Sequence, residues 1–162
     1  MALGGRTDRA AEWADDDEVA WRLAVQRDAD GLRARARELR GRGPSTYSSA
    51  RADAFALAVE GSGKAAIATL GSGWTDAWPA PVAFALDVAR VRLLSGEAAG
   101  ALIALQLGLA GQERLPPVAR DLVAACVRER RWLWRLALRV IFSAGSWWER
   151  AAGVAAVVRV CL

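Results

Sequence analysis

The chain has no histidine, two cysteines, one methionine and a single lysine against 21 arginines in 162 residues. Without histidine, Ser-His-Asp and Cys-His relays are excluded, together with histidine metal sites and the commonest proton shuttle at neutral pH. Two cysteines cannot complete a structural zinc site. Cys126 and Cys161 lie far apart inside apolar, helix-like stretches, as reduced thiols of a cytoplasmic protein would. Long apolar runs are missing too. The longest uncharged stretch, Ala98 to Gln112, falls short of the roughly 20 apolar residues that a membrane span needs. The start, Met-Ala-Leu-Gly-Gly-Arg, turns acidic without an apolar h-region, so neither a secretory leader nor a membrane span is expected and the location expected is cytoplasmic. The eighteen acids are N-terminal or scattered beside arginines, and no two of them are spaced to converge on a cleft. The expectation is a non-enzyme with no catalytic residues, metal or cofactor.

The charge that is present is unevenly spread. Residues 1–42 carry nine arginines against nine acids, residues 43–113 four basic groups against six acids, and residues 114–162 nine arginines against three acids. The whole basic excess therefore sits at the C-terminal end, where it can attract nucleic acid, anionic lipid or an acidic protein. The preference for arginine over lysine, with abundant alanine, points to a GC-rich, actinobacterial genome.

Strand-like alternation never lasts, and alanine, leucine and arginine dominate, so the chain reads as all-α. Two stretches superpose at a spacing of 35, pairing Ala54 with Ala89, Val59 with Leu94, Gly61 with Gly96, Ala66 with Ala101, Ile67 with Leu102 and Leu70 with Leu105. Each reads as helix, glycine turn, helix, a unit that buries its apolar face only by stacking on neighbours. Asp15-Asp16-Asp17-Glu18 caps a first helix running to about Arg27; its adjacent carboxylates point in different directions and make a poor metal site. A second helix, Asp30 to Arg40, sets Leu32, Ala36 and Leu39 on one face and Arg33, Arg37 and Arg40 on another. This pair forms an N-terminal hairpin, residues 1–42. The turn formers Gly41 to Ser49 supply a linker, residues 43–49, before a repeat region over residues 50–162.

In the repeat region, Pro79 and Pro81 open a helix to Leu94, with Phe84, Val88 and Val91 on the core face and Asp87 and Arg90 opposite, within pairing distance. The helix from Glu97 to Ala110, apolar nearly all round, belongs at the centre of the stack, with Ile103 and Leu107 beside its inward residues. Pro116-Pro117 starts a helix to Arg130 with Val118, Leu122 and Ala125 inward. Trp132 to Phe142 and Trp147 to Cys161 complete about ten helices.

Gly61-Ser62-Gly63-Lys64 echoes a nucleotide-binding P-loop, yet Ala58 and Ala65 stand where the leading glycine and the magnesium-binding hydroxyl belong, and the lead-in is helical. A glycine turn explains the segment. The sharper pattern is Arg128 to Arg139. As one helix it aligns Arg128, Arg131, Arg135 and Arg139 in a stripe flanked by Trp132, suited to gripping phosphates or an acidic partner, or to lying on a membrane surface. The eight tryptophans come mostly in close pairs that seal hairpins in the core; Trp74 and Trp78, in a loop between repeats, are the ones expected at the surface and available to a partner. The last helix, Trp147 to Cys161, has an apolar run with Arg159 its only charge after Ala151, where a solenoid normally ends in a polar cap. It is expected to be covered by a second copy or a further repeat.

The run Ala89-Arg90-Val91-Arg92-Leu93-Leu94-Ser95-Gly96-Glu97-Ala98-Ala99-Gly100-Ala101-Leu102-Ile103-Ala104-Leu105 resembles a tetratricopeptide-like hairpin. More narrowly, it is similar to the degenerate repeats of the large LuxR-type ATP-dependent regulators of actinobacteria. The resemblance covers roughly residues 50 to 142. Ser95 stands where a leucine commonly precedes the glycine, and the family's ATPase module and C-terminal helix-turn-helix have no counterpart here. The resemblance implies an all-α, right-handed stack of antiparallel helical hairpins, a tetratricopeptide-like α-solenoid. It further implies a non-catalytic scaffold for a protein or peptide partner in transcriptional regulation. The alternative is nucleic-acid or acidic-partner binding through the C-terminal arginine stripe.

Overall fold

A computed structural model describes residues 18–42, 46–74, 81–144 and 146–161. Every regular element among them is helical. The Asp15 to Asp17 cap, residues 43–45 of the expected linker, Trp13, Trp78, Pro79 and Gly145 lie outside the described residues. The chain divides into two compact units, Met1–Thr75 and Asp76–Leu162, so the division falls later than the expected linker at 43–49.

In the first unit α1 spans 18–25, α2 Ala29–Gly41, α3 Thr46–Val59 and α4 Gly63–Gly73. Residues 46–49 are thus helix rather than linker, and Tyr47, Ser48 and Ser49 are buried. Helix α2 packs on α3 and α3 on α4. Helix α2 lays Leu32, Ala36 and Leu39 into the core as its 3.6-residue period requires. Its outer arginines bridge to α3 and the turn after it, Arg40 to Asp53 at 2.5 Å and Arg33 to Glu60 at 2.6 Å. Where α1 meets α3, Trp21 stands edge-on to Phe55 with ring centroids 5.9 Å apart.

Three helix pairs close with one and the same turn. In α3–α4 the Gly61 N–H donates to Ala58 O at 3.0 Å and Ser62 N–H to Leu57 O at 2.8 Å. In the second unit Gly96 N–H donates to Leu93 O at 3.0 Å and Glu97 N–H to Arg92 O at 2.8 Å. In α1–α2 the donors are Arg27 to Ala24 O and Asp28 to Leu23 O, both at 3.0 Å. These paired bonds are the Schellman closure, which needs a left-handed residue to satisfy the last carbonyls of the helix. Gly61 (φ 83°), Gly96 (φ 79°) and Arg27 (φ 58°) occupy that position. The following residue, Ser62, Glu97 or Asp28, is already the N-cap of the next helix, so the connection has minimal length. Gly61 and Gly96 are equivalent, as the repeat register requires. Arg27, 34 residues before Gly61, adds a pair that the register had not joined to the series.

In the second unit α5 spans Pro81–Leu94, α6 Ala98–Leu109, α7 Pro117–Glu129, a 3₁₀ turn η1 Arg131–Leu133, α8 Trp134–Ser143 and α9 Trp147–Cys161. Helix α6 packs on α5, α7 and α8, and α9 rests on α7 and α8. The faces of three helices differ from those expected. On α5 the polar pair is inside: Asp87 and Arg90 are 2% and 6% exposed, 3.0 Å apart, whereas Phe84 and Val88 are half-buried. On α6 Ala98, Ala101, Leu102, Leu105 and Leu109 are buried, but Ile103 and Leu107 face outward. On α7 Leu122 is inward with Ala119, Val123, Cys126 and Val127, while Val118 is exposed and Ala125 half-buried. All three sequences hold enough small and aliphatic residues to tolerate a rotation of the buried face.

Helix α9 turns Gly153 and Val157 inward and leaves Ala151, Ala152, Ala155, Val158 and Arg159 exposed. A Cβ on Gly153 would sit 3.0 Å from an Ile141 methyl, so the glycine allows α8 and α9 to close on each other. At its N-terminus Glu149 reaches back to Ser146, the return half of a capping box, accepting from the Ser146 N–H at 2.8 Å and from its hydroxyl at 3.1 Å.

Candidate partner-binding surface

Residues 128–139 do not form one helix. Helix α7 ends at Glu129, Arg130 is extended (φ −138°, ψ 89°) and η1 leads into α8. The expected stripe is therefore divided, with Arg128 in the last turn of α7, Arg131 in η1, and Arg135 and Arg139 on α8. All four are exposed, as is Arg130. Among the described residues none of the five has a carboxylate within ion-pair distance.

Leu133, Ala137, Val140 and Ile141 are buried, which fixes the rotation of η1 and α8 and points the opposite side at solvent. That outer side is not purely polar. Trp132 is 71% exposed, Trp134 42% and Phe142 51%, with Leu138 half-buried between the last two. Tryptophan at positions 132 and 134 had been expected to seal the core, and the correction has a plain cause. The inward positions of this segment are filled by Leu133, Ala137, Val140 and Ile141, leaving no interior volume for an indole. The Arg135 guanidinium lies 5.2 Å from the centroid of the Trp134 ring, a cation–π contact that steadies both side chains.

Trp74, the C-cap of α4, is 37% exposed in the first unit, and Trp78 lies outside the described residues. A second surface feature was missed by sequence reasoning. Phe84 and Val88 of α5 and Ile103, Ala104 and Leu107 of α6 line an open groove of about 550 Å³. Leu107 is 76% exposed at its rim. Its only charged lining residue, Arg92, is bound to Glu97 at 3.0 Å. Gly108 brings the two helices together there, since a Cβ at that position would overlap that of Ala85.

Groups able to do chemistry are sparse. Burial, aided by the charge of Glu129, pushes the Cys126 thiol up to about 12, so it stays protonated and non-nucleophilic at neutral pH. Among the described residues no three of Cys, Asp and Glu gather closely enough to hold a metal ion, and no helix is long and apolar enough to cross a membrane. No protein-family model matches the chain, and neither a curated protein nor a solved structure matches it.

Proposed function

We propose that the chain is a non-catalytic helical-repeat scaffold of tetratricopeptide-like type that binds a protein partner in transcriptional regulation. The observation that carries the reading is the turn shared by three successive helix pairs at intervals of 34 and 35 residues, with the same hydrogen bonds and the same left-handed residue. A chain that repeats one supersecondary unit builds an extended surface of exposed helix faces, and such surfaces serve recognition. The regulatory setting comes from the resemblance of Ala89 to Leu105 to LuxR-type repeats, and the absence of histidine supports a role without catalysis.

A second reading, binding of nucleic acid or an acidic partner through Arg128, Arg131, Arg135 and Arg139, is favoured by one observation: these arginines are exposed and, among the described residues, have no ion-pair partner, and Trp132 in the same segment is exposed too. A photo-crosslinking amino acid introduced in source cells at Leu107, or separately at Trp132, tests both. The scaffold reading expects the same protein adducts in every replicate from at least one position. Nucleic-acid adducts alone, from Trp132, would move the assignment to the second reading, and no adduct from either position would remove both.

A further inference from the structure

We infer that the exposed face of η1 and α8 is a docking surface for an acidic amphipathic helix of a partner protein, lying along α8. The inference rests on the scaffold reading in taking the partner to be a protein, and names which surface recognises it and by what chemistry.

Two adjacent rows run along this face, each with a residue every four positions. One row is Trp134, Leu138 and Phe142; the other, on α8, is Arg135 and Arg139, with Arg131 preceding them in the 3₁₀ turn η1. Four residues of α-helix advance about 6 Å, so α8 presents apolar and cationic groups in parallel at that pitch. A second α-helix is the protein element whose side chains repeat at the same pitch, because its own i, i+4 rows advance equally. The complementary partner therefore has Asp or Glu at i and i+4 for Arg135 and Arg139, a third acid one turn away toward Arg131, and a neighbouring apolar row to cover Trp134, Leu138 and Phe142. Arginine suits such a row because its planar fork takes a carboxylate bidentately.

Charge decides the sign of the partner. Arg128 and Arg130 stand at the entrance to the face, and from Arg130 to Gly145 the sequence contains no acid at all. A free acid nearby would fold back on these arginines; their lack of any ion pair among the described residues leaves all five available. Exposed tryptophan together with arginine is the composition that supplies most binding energy in protein interfaces. The α5–α6 groove offers no comparable specification, since its lining is apolar and its single charge is already neutralised.

The experiment is titration of the full chain with a synthetic helical peptide carrying glutamate at three positions four residues apart, with leucines in the adjoining row. A second peptide of equal composition has the glutamates moved off that face. Binding in the micromolar range is expected for the first, weaker by about tenfold or more for the second. Arg135→Gln with Arg139→Gln, and separately Trp134→Ala, should each weaken binding by about tenfold. Arg159→Gln, an exposed arginine on α9, should leave it unchanged. Melting followed by circular dichroism checks that the variants remain folded. Between about 0.05 and 0.2 M salt the affinity should fall only a few-fold, against the thousandfold or more of a protein gripping six phosphates.

Equal affinity for the two peptides overturns the inference, as does an unchanged affinity in the folded double variant. Tighter, steeply salt-dependent binding to duplex DNA or single-stranded RNA overturns it in favour of nucleic acid. Capture by phosphatidylglycerol vesicles without peptide binding overturns it in favour of a lipid surface. Loss of the peptide result alongside persistent protein adducts at Leu107 would defeat this inference and leave the scaffold reading standing.

Discussion

Removing Asp87 should be among the most damaging single changes in the second unit. Its carboxylate lies 3.0 Å from the Arg90 guanidinium, one turn along α5, and both side chains are almost fully shielded from water. At an effective dielectric constant near 20, two unit charges at that separation attract by about 5 kcal/mol. Breaking a buried pair from one side costs about 3–5 kcal/mol, because the surviving charge stays desolvated. Asp87→Ala is therefore expected to destabilise by about 3–5 kcal/mol, a large share of the roughly 5–15 kcal/mol that holds a domain together. Arg90→Met should cost a similar amount, and the double variant should cost less than the sum of the two singles, because the second change no longer breaks this pair. Urea unfolding followed by tryptophan fluorescence gives the four values of the cycle. If Asp87→Ala alone unfolds the chain, Arg90→Met and the double variant still decide the matter. Losses in the two singles that simply add in the double variant, or a loss below about 1 kcal/mol in either single, would refute the electrostatic account.

Arg27→Gly should raise stability by about 1 kcal/mol, because arginine there holds a left-handed φ of 58° that glycine adopts freely; a lowered melting temperature would contradict it. Gly96→Ala should do the opposite by a similar amount, about 1 kcal/mol, since a Cβ there meets open space and only the backbone conformation is penalised. The Ser146 cap lowers the Glu149 pKa from its ordinary 4.5, so its stabilising contribution is fully present above that value and is lost as pH falls through the lower folded pKa. The melting-temperature gap between the parent and Glu149→Gln should accordingly be widest above about pH 5 and narrow as the pH falls through the lowered folded pKa, and a gap independent of pH would rule this out. Cys126, buried and with its thiol raised to about 12, should resist alkylation in the folded chain at pH 8 and react on unfolding, as read by residue-resolved mass spectrometry.

How much of the fold could be read in advance depended on whether a position forced its residue type. The turns at Gly61 and Gly96 were legible because a left-handed C′ position selects glycine. The matching turn at Arg27 was hidden because a non-glycine residue sits in that conformation, which occurs for only a few per cent of such residues. Helix α2 was legible because leucine and arginine segregate cleanly to two sides. Helices α5 and α6 were not. Their apolar residues surround the axis, so no stripe dictates which side is buried, and the choice passes to packing. On α5 that choice placed Asp87 and Arg90 inside, where mutual neutralisation offsets their desolvation. On α6 it left Ile103 and Leu107 outside, where they border a groove with α5.

The candidate surface was legible in composition and illegible in shape, and the break at Arg130 explains both. The buried residues Cys126, Leu133, Ala137 and Val140 follow one another at intervals of seven, four and three, which is also the period of a single unbroken helix. Neither glycine nor proline marks the interruption, so periodicity alone predicts continuity. The interruption is visible only in the backbone, where Arg130 turns extended, its N–H still bound to Cys126 O, and its carbonyl receives the Leu133 N–H of η1. Composition survives such a break, because the lack of acids between Arg130 and Gly145 holds whichever way the backbone runs. Geometry does not survive it: an unbroken helix would carry Arg128 in line with Arg131, whereas here Arg128 ends α7, Arg131 lies in η1, and α8 alone sets Arg135 and Arg139 beside Trp134, Leu138 and Phe142. The inferred recognition chemistry is therefore narrower than a four-arginine stripe. On the docking face inferred above, a partner would meet Arg135 and Arg139 on one side of α8 and Trp134, Leu138 and Phe142 on the other, both at helical pitch, the pairing that would favour a helix bearing acids over a bare run of phosphates.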